Sequence, residues 1–228
     1  MPGIGIIANP HSKLNKRSPQ TLSLMAEAIG QKGIFTVTHD LDHLDETLKN
    51  YKAQEIAILG INGGDGTISQ IITRMIGIYG SQPLPILAVL RGGTMNLIAA
   101  QLSIDNTPVE NIKKLVALVA TEKTLSIQRL STLKINEIYG FLYADQSSTA
   151  ILEEFYRKKS GHLGAVWLAT RITGSFLLKG ALIQSVVKSH ALKAQFKPVG
   201  DLDRMVLGCF AGTITKFPLG FPFLPLAR

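Results

Sequence analysis

Two glycine-rich segments carry residue types that could bind and transfer a phosphoryl group. The first, INGGDGT over residues 61–67, follows an apolar run and precedes a helical pattern. The second, RGGTMN over residues 91–96, repeats the order of apolar run, glycine pair and threonine. Glycines let a backbone turn sharply, take positive φ angles and approach a ligand closely, and a following helix N-terminus favours phosphate. Together the two segments predict a phosphate-binding cleft.

Asp65 sets the first segment apart, because a loop that only binds phosphate has no need of a carboxylate. The side chain could cap the following helix through Thr67 or a neighbouring N–H group. It could instead hold Mg²⁺ or orient a hydroxyl group that attacks a phosphoryl group. The first segment alone leaves both interpretations open, and the presence of the second segment favours the catalytic one.

A third polar segment, NPHS over residues 9–12, adds Asn9 and Ser12 after another apolar run. The sequence contains neither G-x-x-x-x-G-K-[ST] nor G-x-G-x-x-G. The motifs therefore exclude a P-loop protein and a dinucleotide-binding Rossmann domain.

Alternating strands and helices must position these three segments. Apolar runs predict strands at 4–8, 35–39, 56–61 and 86–90, and helical spacing predicts helices at 21–31, 44–51, 67–79, 95–101 and 109–120. Continuously apolar strands between helices indicate a parallel sheet covered on both faces. In such sheets ligands bind beyond the carboxyl ends of the strands, where the loops 9–18, 62–67 and 91–96 are expected.

The pattern changes after about residue 124. The segments 124–145, 191–197 and 204–215 have the alternating character of antiparallel strands, and 162–187 is helical but interrupted by Gly174 and Gly180. We therefore predict an α/β domain over 1–124 and a β-rich, antiparallel domain over 125–228; the family resemblance described below implies that the first binds nucleotide and the second the lipid substrate.

The net charge of +8 is unevenly distributed along the chain. Residues 1–150 hold 13 Lys and Arg against 12 Asp and Glu, whereas residues 151–228 hold 11 against 4. A basic region of this kind indicates either an anionic partner or a solubilising surface. Nucleic acid is not expected as the partner, because no nucleic-acid-binding motif accompanies the charge.

The remaining composition favours a protein of a reducing compartment. Cys209 is the single cysteine, so no disulfide can form within the chain. No uncharged apolar stretch approaches the roughly 20 residues that span a bilayer, and the N-terminus lacks the basic region of a signal peptide. We expect a cytoplasmic protein, and an uncovered aromatic tail over 217–226 leaves homodimerisation open.

The glycine segments resemble the catalytic domain of the diacylglycerol kinase family of lipid kinases, which shares a superfamily with NAD kinase. The resemblance rests on Gly63-Gly64-Asp65-Gly66-Thr67, on Gly92-Gly93-Thr94-Met95-Asn96 and on Asn9-Pro10. It implies an NAD kinase-like, three-layer parallel-sheet domain followed by a β-rich, antiparallel second domain.

The resemblance also implies ATP- and Mg²⁺-dependent phosphorylation of a lipid hydroxyl, with a diacylglycerol-like, acylglycerol or sphingoid substrate. Asp65 would orient or deprotonate that hydroxyl and could contact the metal through Mg-ATP. The residues implied at the nucleotide are Asn9, Pro10, Ser12, Gly63, Gly64, Gly66, Thr67, Gly92, Gly93, Thr94 and Asn96. The basic second half would meet an anionic membrane and hold the protein at the inner membrane surface.

The sequence departs from the family pattern at Arg91 and Leu97 and in two further ways that bear on function. Lys13 stands where the family usually has glycine, so Lys13, Lys16 and Arg17 either contact phosphate or are solvated. No acidic residue follows Asp203, whereas family members carry a late acidic segment, so the C-terminal part of the second domain is expected to be missing. The missing acidic segment leaves open a non-catalytic lipid- or nucleotide-binding module. The Gly63-Gly64-Asp65-Gly66-Thr67 motif, which NAD kinase shares, also leaves open an NAD kinase-like enzyme with a soluble substrate.

Overall fold

Four parallel strands form the central sheet of the protein. The computed structural model describes residues 3–121, 125–144, 189–196, 200–206 and 209–215. Strands β1 (Gly3–Ala8), β2 (Ile34–Val37), β3 (Ile56–Gly63) and β4 (Ile86–Arg91) lie in the order β2-β1-β3-β4. In the register of this sheet, Ile6 pairs with Phe35 on one side and with Gly60 on the other. The predicted parallel sheet is confirmed.

Helices cover both faces of this sheet. They are α1 (Lys13–Arg17), α2 (Gln20–Ile29), α3 (Leu41–Ala53), α4 (Asp65–Tyr79), α5 (Leu97–Gln101) and α6 (Pro108–Ala120). Helices α2 and α6 pack together, and so do α3 and α4. Ile4 and Ile6 of β1 belong to the core beneath α2 and α6, whereas Gly5 between them meets α3. Because neighbouring strand residues face opposite sides, this alternation gives the expected three layers.

Tyr51 of α3 explains why β1 has a glycine at position 5. A Cβ atom on Gly5 would lie 2.4 Å from the Tyr51 ring, so the ring packs directly on the strand backbone. The Tyr51 hydroxyl donates to the carbonyl of Ile6 at 3.0 Å, and burial raises the pKa of this hydroxyl above its ordinary value. Helix α3 is thereby held against the centre of the sheet.

Helix α1 differs from the sequence-based expectation, which was a polar loop over 9–18. Leu14 is its one apolar residue, so the sequence of the helix has no apolar periodicity, and this leucine is 39% exposed. Ser12 precedes the first turn, and Asn15 is buried. Polar tertiary contacts therefore fix this helix, rather than the burial of an apolar face.

A short antiparallel hairpin packs on α4. Its strands are β5 (Leu133–Ile135) and β6 (Ile138–Gly140). The backbone N–H of Tyr139 donates to Thr73 Oγ1 at 2.9 Å, and the Ser69 hydroxyl donates to the Tyr139 carbonyl. Two side chains of α4 thus bind the backbone N–H and the backbone carbonyl of one hairpin residue.

The contacts divide the chain into two compact units. The first contains the described residues up to Phe141 and from Thr213 onward, and the second runs from Leu142 to Gly212. Within the first unit, the N–H of Thr213 donates to the carbonyl of Phe141 at 3.0 Å. The chain therefore leaves this unit and returns to it at neighbouring points. The predicted domain boundary after residue 124 stays a prediction.

The second unit contains two antiparallel strand pairs. Strand β7 (Leu142–Ala144) pairs with β10 (Phe210–Gly212), and β8 (His190–Phe196) pairs with β9 (Gly200–Val206). These pairs confirm the antiparallel character predicted for the second half. The strand segment predicted over 204–215 contains parts of two strands, β9 and β10, which have different partners. The helix predicted over 162–187 and the tail over 217–226 lie outside the described residues.

Helix α4 contains a glycine that offers a test of its stability. At 15 residues α4 is the longest helix of the described ranges. No helix in these ranges is long and apolar enough to cross a bilayer. Gly77 is exposed, and no atom lies within 4 Å of the position of an added Cβ. Because glycine in a helix interior is less favourable than alanine, Gly77→Ala should raise the free energy of unfolding by about 0.5–1 kcal/mol.

Thermal unfolding measures this effect, and the expected increase in Tm is about 2–4 °C per kcal/mol. Gly80→Ala is the matched control, because Gly80 ends the same helix with φ of 60° and ψ of −120°. Alanine is strained in that conformation, so Gly80→Ala should lower Tm. A fall in Tm for Gly77→Ala would contradict the exposed position of Gly77.

Candidate active site

The loops after β1, β3 and β4 meet at one edge of the sheet. The chain passes from β1 outward to β2 and then returns to β3 on the other side of β1. This reversal places the switch point of the sheet between β1 and β3, where parallel α/β folds bind their ligands. The N–H of Asn9, directly after β1, donates to the carbonyl of Asn62 at 2.9 Å. The three predicted loops therefore share the edge at which a ligand is expected.

The two glycine segments touch each other backbone to backbone. The N–H of Gly92 donates to the carbonyl of Gly63 at 2.9 Å. A Cβ atom on Gly93 would lie 2.5 Å from the Cα of Gly64, and one on Gly92 would lie 2.8 Å from the nitrogen of Gly63. Real Cβ atoms are essentially never that close to a backbone, so the two segments can meet in this way only with glycine at positions 92 and 93.

The expectation that these glycines supply positive φ angles is wrong. None of the glycines in the two segments has a positive φ, and Gly64 has φ of −90° and ψ of 180°. The left-handed residue is Asn96, with φ and ψ of 49°. Its Oδ1 accepts from the N–H of Gly93 and its Nδ2 donates to the Gly93 carbonyl, both at 2.9 Å. Asn96 thus closes the second loop, and the glycines serve close approach.

Asn9 connects the first loop to α4. Its Nδ2 donates to Thr67 Oγ1 at 2.9 Å, and its Oδ1 accepts from the N–H of His11 at 2.8 Å. Thr67 lies in the first turn of α4, and its side chain also occupies the space that a Cβ on Gly63 would need. The amide of Asn9 and the hydroxyl of Thr67 are therefore fixed relative to each other at the start of the helix.

Asp65 belongs to the first glycine segment and bonds to the helix that follows the second segment. It is the first residue of α4, and its Oδ1 accepts from the N–H of Ile98 at 3.2 Å. Ile98 is the second residue of α5, so the carboxylate caps α5. The capping alternative had instead expected Asp65 to cap α4, the helix that it begins. Two helix N-termini favour negative charge at this position. The aspartate is half-buried and oriented, which suits a residue that must point one oxygen at a reactant.

The remaining predicted residues differ in exposure. Ser12 is buried, and its hydroxyl has no hydrogen-bond partner among the described residues. Pro10 is half-buried in the turn after Asn9, whereas Thr94 is on the exposed side of the second loop. Gly66 is exposed in the first turn of α4, and nothing lies within 4 Å of an added Cβ. The backbone at Gly66 is therefore open to a ligand.

Two buried asparagines hold the three loops together and were not identified from the sequence. Asn15 Nδ2 donates to the Asn9 carbonyl at 2.7 Å and to Asn62 Oδ1 at 2.6 Å. Asn62 Nδ2 donates to the Arg91 carbonyl at 3.1 Å. Asn15 is 1% exposed and Asn62 is fully buried, so these bonds are shielded from water. Asparagine is a polar residue, so sequence analysis usually places it on the surface. The one sequence signal for Asn62 is its position directly before Gly63.

A double-mutant cycle tests this pair of asparagines. Because a buried amide that loses its partner costs about 1–3 kcal/mol, Asn15→Ala and Asn62→Ala should each destabilise the protein by about that amount. The double variant should be less destabilised than the sum, with a coupling energy of about 1 kcal/mol or more. Denaturant unfolding measures the three differences, and additive effects would show that the two amides do not support each other.

Comparisons with known proteins agree with this geometry. The family model for the diacylglycerol kinase catalytic domain matches residues 4–127, more than half of the chain. No curated protein matches the chain.

Solved structures share the fold at low sequence identity. A crystal structure described as a diacylglycerol kinase from Bacillus anthracis str. Sterne superposes with a TM-score of 0.61 at 16% identity, covering 96% of this chain and 67% of that one. Two further structures from that organism, assigned to the same kinase class, superpose with TM-scores of 0.67 and 0.66 at 15% identity. They cover 99% of this chain, and the chain covers 70% and 68% of theirs.

Proposed function

Because the chain belongs to the diacylglycerol kinase catalytic-domain family, we propose that it transfers the γ-phosphoryl group of ATP to a lipid hydroxyl. The observation that carries the proposal is the contact between Gly64 and Gly93, with the Asp65 carboxylate bonded across it to Ile98. Phosphoryl transfer depends mainly on positioning and on charge neutralisation. A rigid pair of backbone loops with one oriented carboxylate can supply the positioning.

The start of α4 suits the phosphates of a nucleotide. Gly64 precedes the helix and provides no side-chain cap, so the first N–H groups are left for another acceptor. Gly66 has open space beside it, and Thr67 brings a hydroxyl to the same turn. The positive end of a 15-residue helix favours bound phosphate oxygens. Asn9, Ser12, Gly92, Gly93, Thr94 and Asn96 would line the rest of the nucleotide site.

The donor set also suits Mg²⁺ bound together with a nucleotide. The described residues contain no cluster of three or more His, Cys, Asp or Glu side chains that could hold a metal by themselves. Mg²⁺ commonly uses one or two carboxylates and completes its coordination with phosphate oxygens and water. Asp65 would be the protein ligand, and the ion would neutralise charge on the phosphates.

Asp65 would also act on the acceptor alcohol. Its Oδ1 is held by the Ile98 N–H, so Oδ2 is the oxygen that would orient the lipid hydroxyl and accept its proton. The acceptor class follows from the family, and a diacylglycerol, a monoacylglycerol and a sphingoid base all offer such a hydroxyl. We place the protein in the cytoplasm, in peripheral contact with an anionic inner membrane surface.

A labelled-phosphate transfer assay tests the function. The protein is incubated with γ-labelled ATP, Mg²⁺ and micelles containing diacylglycerol, monoacylglycerol or sphingosine, and NAD serves as a soluble acceptor. We expect labelled lipid to form in the presence of Mg²⁺ and not to form when EDTA removes the metal. Labelled NADP without labelled lipid would favour the NAD kinase-like alternative, and nucleotide binding without any product would favour the non-catalytic module.

A further inference from the structure

The C-terminal end of α5 is bound to the segment with which the chain returns to the first unit. We call it the return segment and define it as residues 213–215. Gln101 is the last residue of α5, and its Oε1 accepts from the backbone N–H of Thr215 at 3.0 Å and from the Thr215 hydroxyl at 3.3 Å. The two residues are 114 positions apart in the sequence. One glutamine side chain thus joins α5 to a distant part of the chain.

The return segment is itself fixed within the first unit. The N–H of Thr213 donates to the carbonyl of Phe141 at 3.0 Å. The next residue, Ile214, is 3% exposed, so its side chain is removed from water. A tertiary hydrogen bond and a buried apolar side chain therefore hold this segment in place. Through Gln101, α5 is bonded to a backbone that has its own attachments.

The other end of α5 holds the candidate catalytic carboxylate. Ile98 is the second residue of the helix, so its N–H has no acceptor inside α5, and Asp65 Oδ1 accepts it at 3.2 Å. This distance is at the long end of the usual range for such bonds, so a small shift of α5 would break it. A helix of five residues is far shorter than the roughly 12–15 residues that form a marginally stable helix alone. Tertiary contacts must therefore set the position of α5.

We propose that Gln101 is a positioning residue, which holds α5 where the Ile98 N–H orients the Asp65 carboxylate. The proposal deepens the proposed function and rests on it for the part that Asp65 takes in phosphoryl transfer. Gln101 acts through α5 and needs no contact with the nucleotide or the acceptor. If its bond to Thr215 served only the fold, its loss would lower stability and leave the bond between Ile98 and Asp65 unchanged.

Hydrogen exchange of the Ile98 amide tests the position of α5 without measuring catalysis. NMR follows this amide in the ¹⁵N-labelled full chain. Gln101→Met removes the acceptor oxygen and keeps a side chain of similar length, whereas Gln101→Glu keeps an oxygen at that place. Gln70→Met is the matched control, because it makes the same replacement at an exposed position of α4. Asp65→Ala removes the acceptor of the Ile98 N–H and gives the exchange rate without the bond.

Gln101→Met should speed the exchange of Ile98 about 5-fold, because the loss of one hydrogen bond shifts a local opening equilibrium by about that factor. Gln101→Glu and Gln70→Met should stay within about twofold of the wild type, and Asp65→Ala should exchange fastest. Unchanged exchange in Gln101→Met would overturn the proposal, whatever the protein phosphorylates. A lower Tm with unchanged exchange at Ile98 would make Gln101 a purely structural residue and overturn the proposal as well.

The labelled-phosphate assay relates this bond to the reaction. Gln101→Met should lower kcat about 5-fold and leave the KM for ATP unchanged, because the carboxylate loses its orientation while the nucleotide contacts remain. Gln101→Glu should restore kcat. Faster exchange at Ile98 in a chain that transfers no phosphate would contradict the proposed function and support the role of Gln101 in orienting Asp65. Faster exchange with an unchanged kcat in an active enzyme would overturn the proposal.

Discussion

Asp65→Asn should lower the rate of phosphoryl transfer at least ~100-fold while leaving the protein folded, because general-base catalysis contributes about that much or more. Asparagine keeps an oxygen that can accept from the Ile98 N–H, so the cap on α5 is retained. It loses the negative charge that would accept the proton of the acceptor and contact Mg²⁺. Labelled-phosphate transfer measures the rate, and thermal unfolding shows whether Tm is unchanged.

Asp65→Ala separates the two roles of this residue. Alanine removes both the charge and the cap, so this variant should lose activity and also about 1 kcal/mol of stability. If Asp65→Asn transfers phosphate as fast as the wild type while Asp65→Ala is destabilised, the aspartate caps α5 and does nothing in the reaction. The difference between the two variants is therefore more informative than either variant alone.

Among Gly→Ala substitutions in the two glycine segments, Gly93→Ala should disrupt the cleft most. The added Cβ would lie 2.5 Å from the Cα of Gly64, and a backbone cannot move aside as a flexible side chain can. Forcing the two loops apart should cost about 1–3 kcal/mol of stability, as overpacking generally does. The separation would also shift the Ile98 N–H away from Asp65, so nucleotide binding and turnover should fall together. Denaturant unfolding and nucleotide titration measure the two effects.

Gly66→Ala provides the matched control for stability. Gly66 belongs to the same glycine segment as Gly64, but an added Cβ would meet nothing within 4 Å. Its free energy of unfolding should stay within about 0.5 kcal/mol of the wild type, as at other open surface positions. Equal stability of Gly93→Ala and Gly66→Ala would contradict the backbone contact between the two segments.

The architecture could be predicted because its signals are local. Continuous apolar runs predict buried parallel strands, and a glycine pair after two of them predicts loops at the carboxyl edge. The structure brings together eight of the predicted residues through hydrogen bonds and one backbone contact: Asn9, Gly63, Gly64, Asp65, Thr67, Gly92, Gly93 and Asn96. The chemical roles of these residues stay predictions until turnover is measured.

The details that the sequence did not predict depend on contacts between distant segments. Asn15 and Asn62 are 47 positions apart, and nothing in either neighbourhood indicates that their amides bond. Asp65 and Ile98 are 33 positions apart, so a helix-capping rule could not select α5 over α4. The sequence of one glycine segment is enough to suggest positive φ angles, so the glycines were assigned that role. Their close approach could not be predicted, because it depends on which other segment lies beside them.

The adjacent ends of the second unit have a consequence for how chains of this family could diversify. The chain leaves the first unit at Phe141 and returns at Thr213, and these residues are hydrogen-bonded to each other. A segment whose two ends are neighbours can be exchanged without moving the rest of the chain. Replacing residues 142–212 would therefore preserve the hydrogen bond of Asp65 and the contacts between the two glycine pairs. The second unit and the glycine loops could then change in sequence independently of each other.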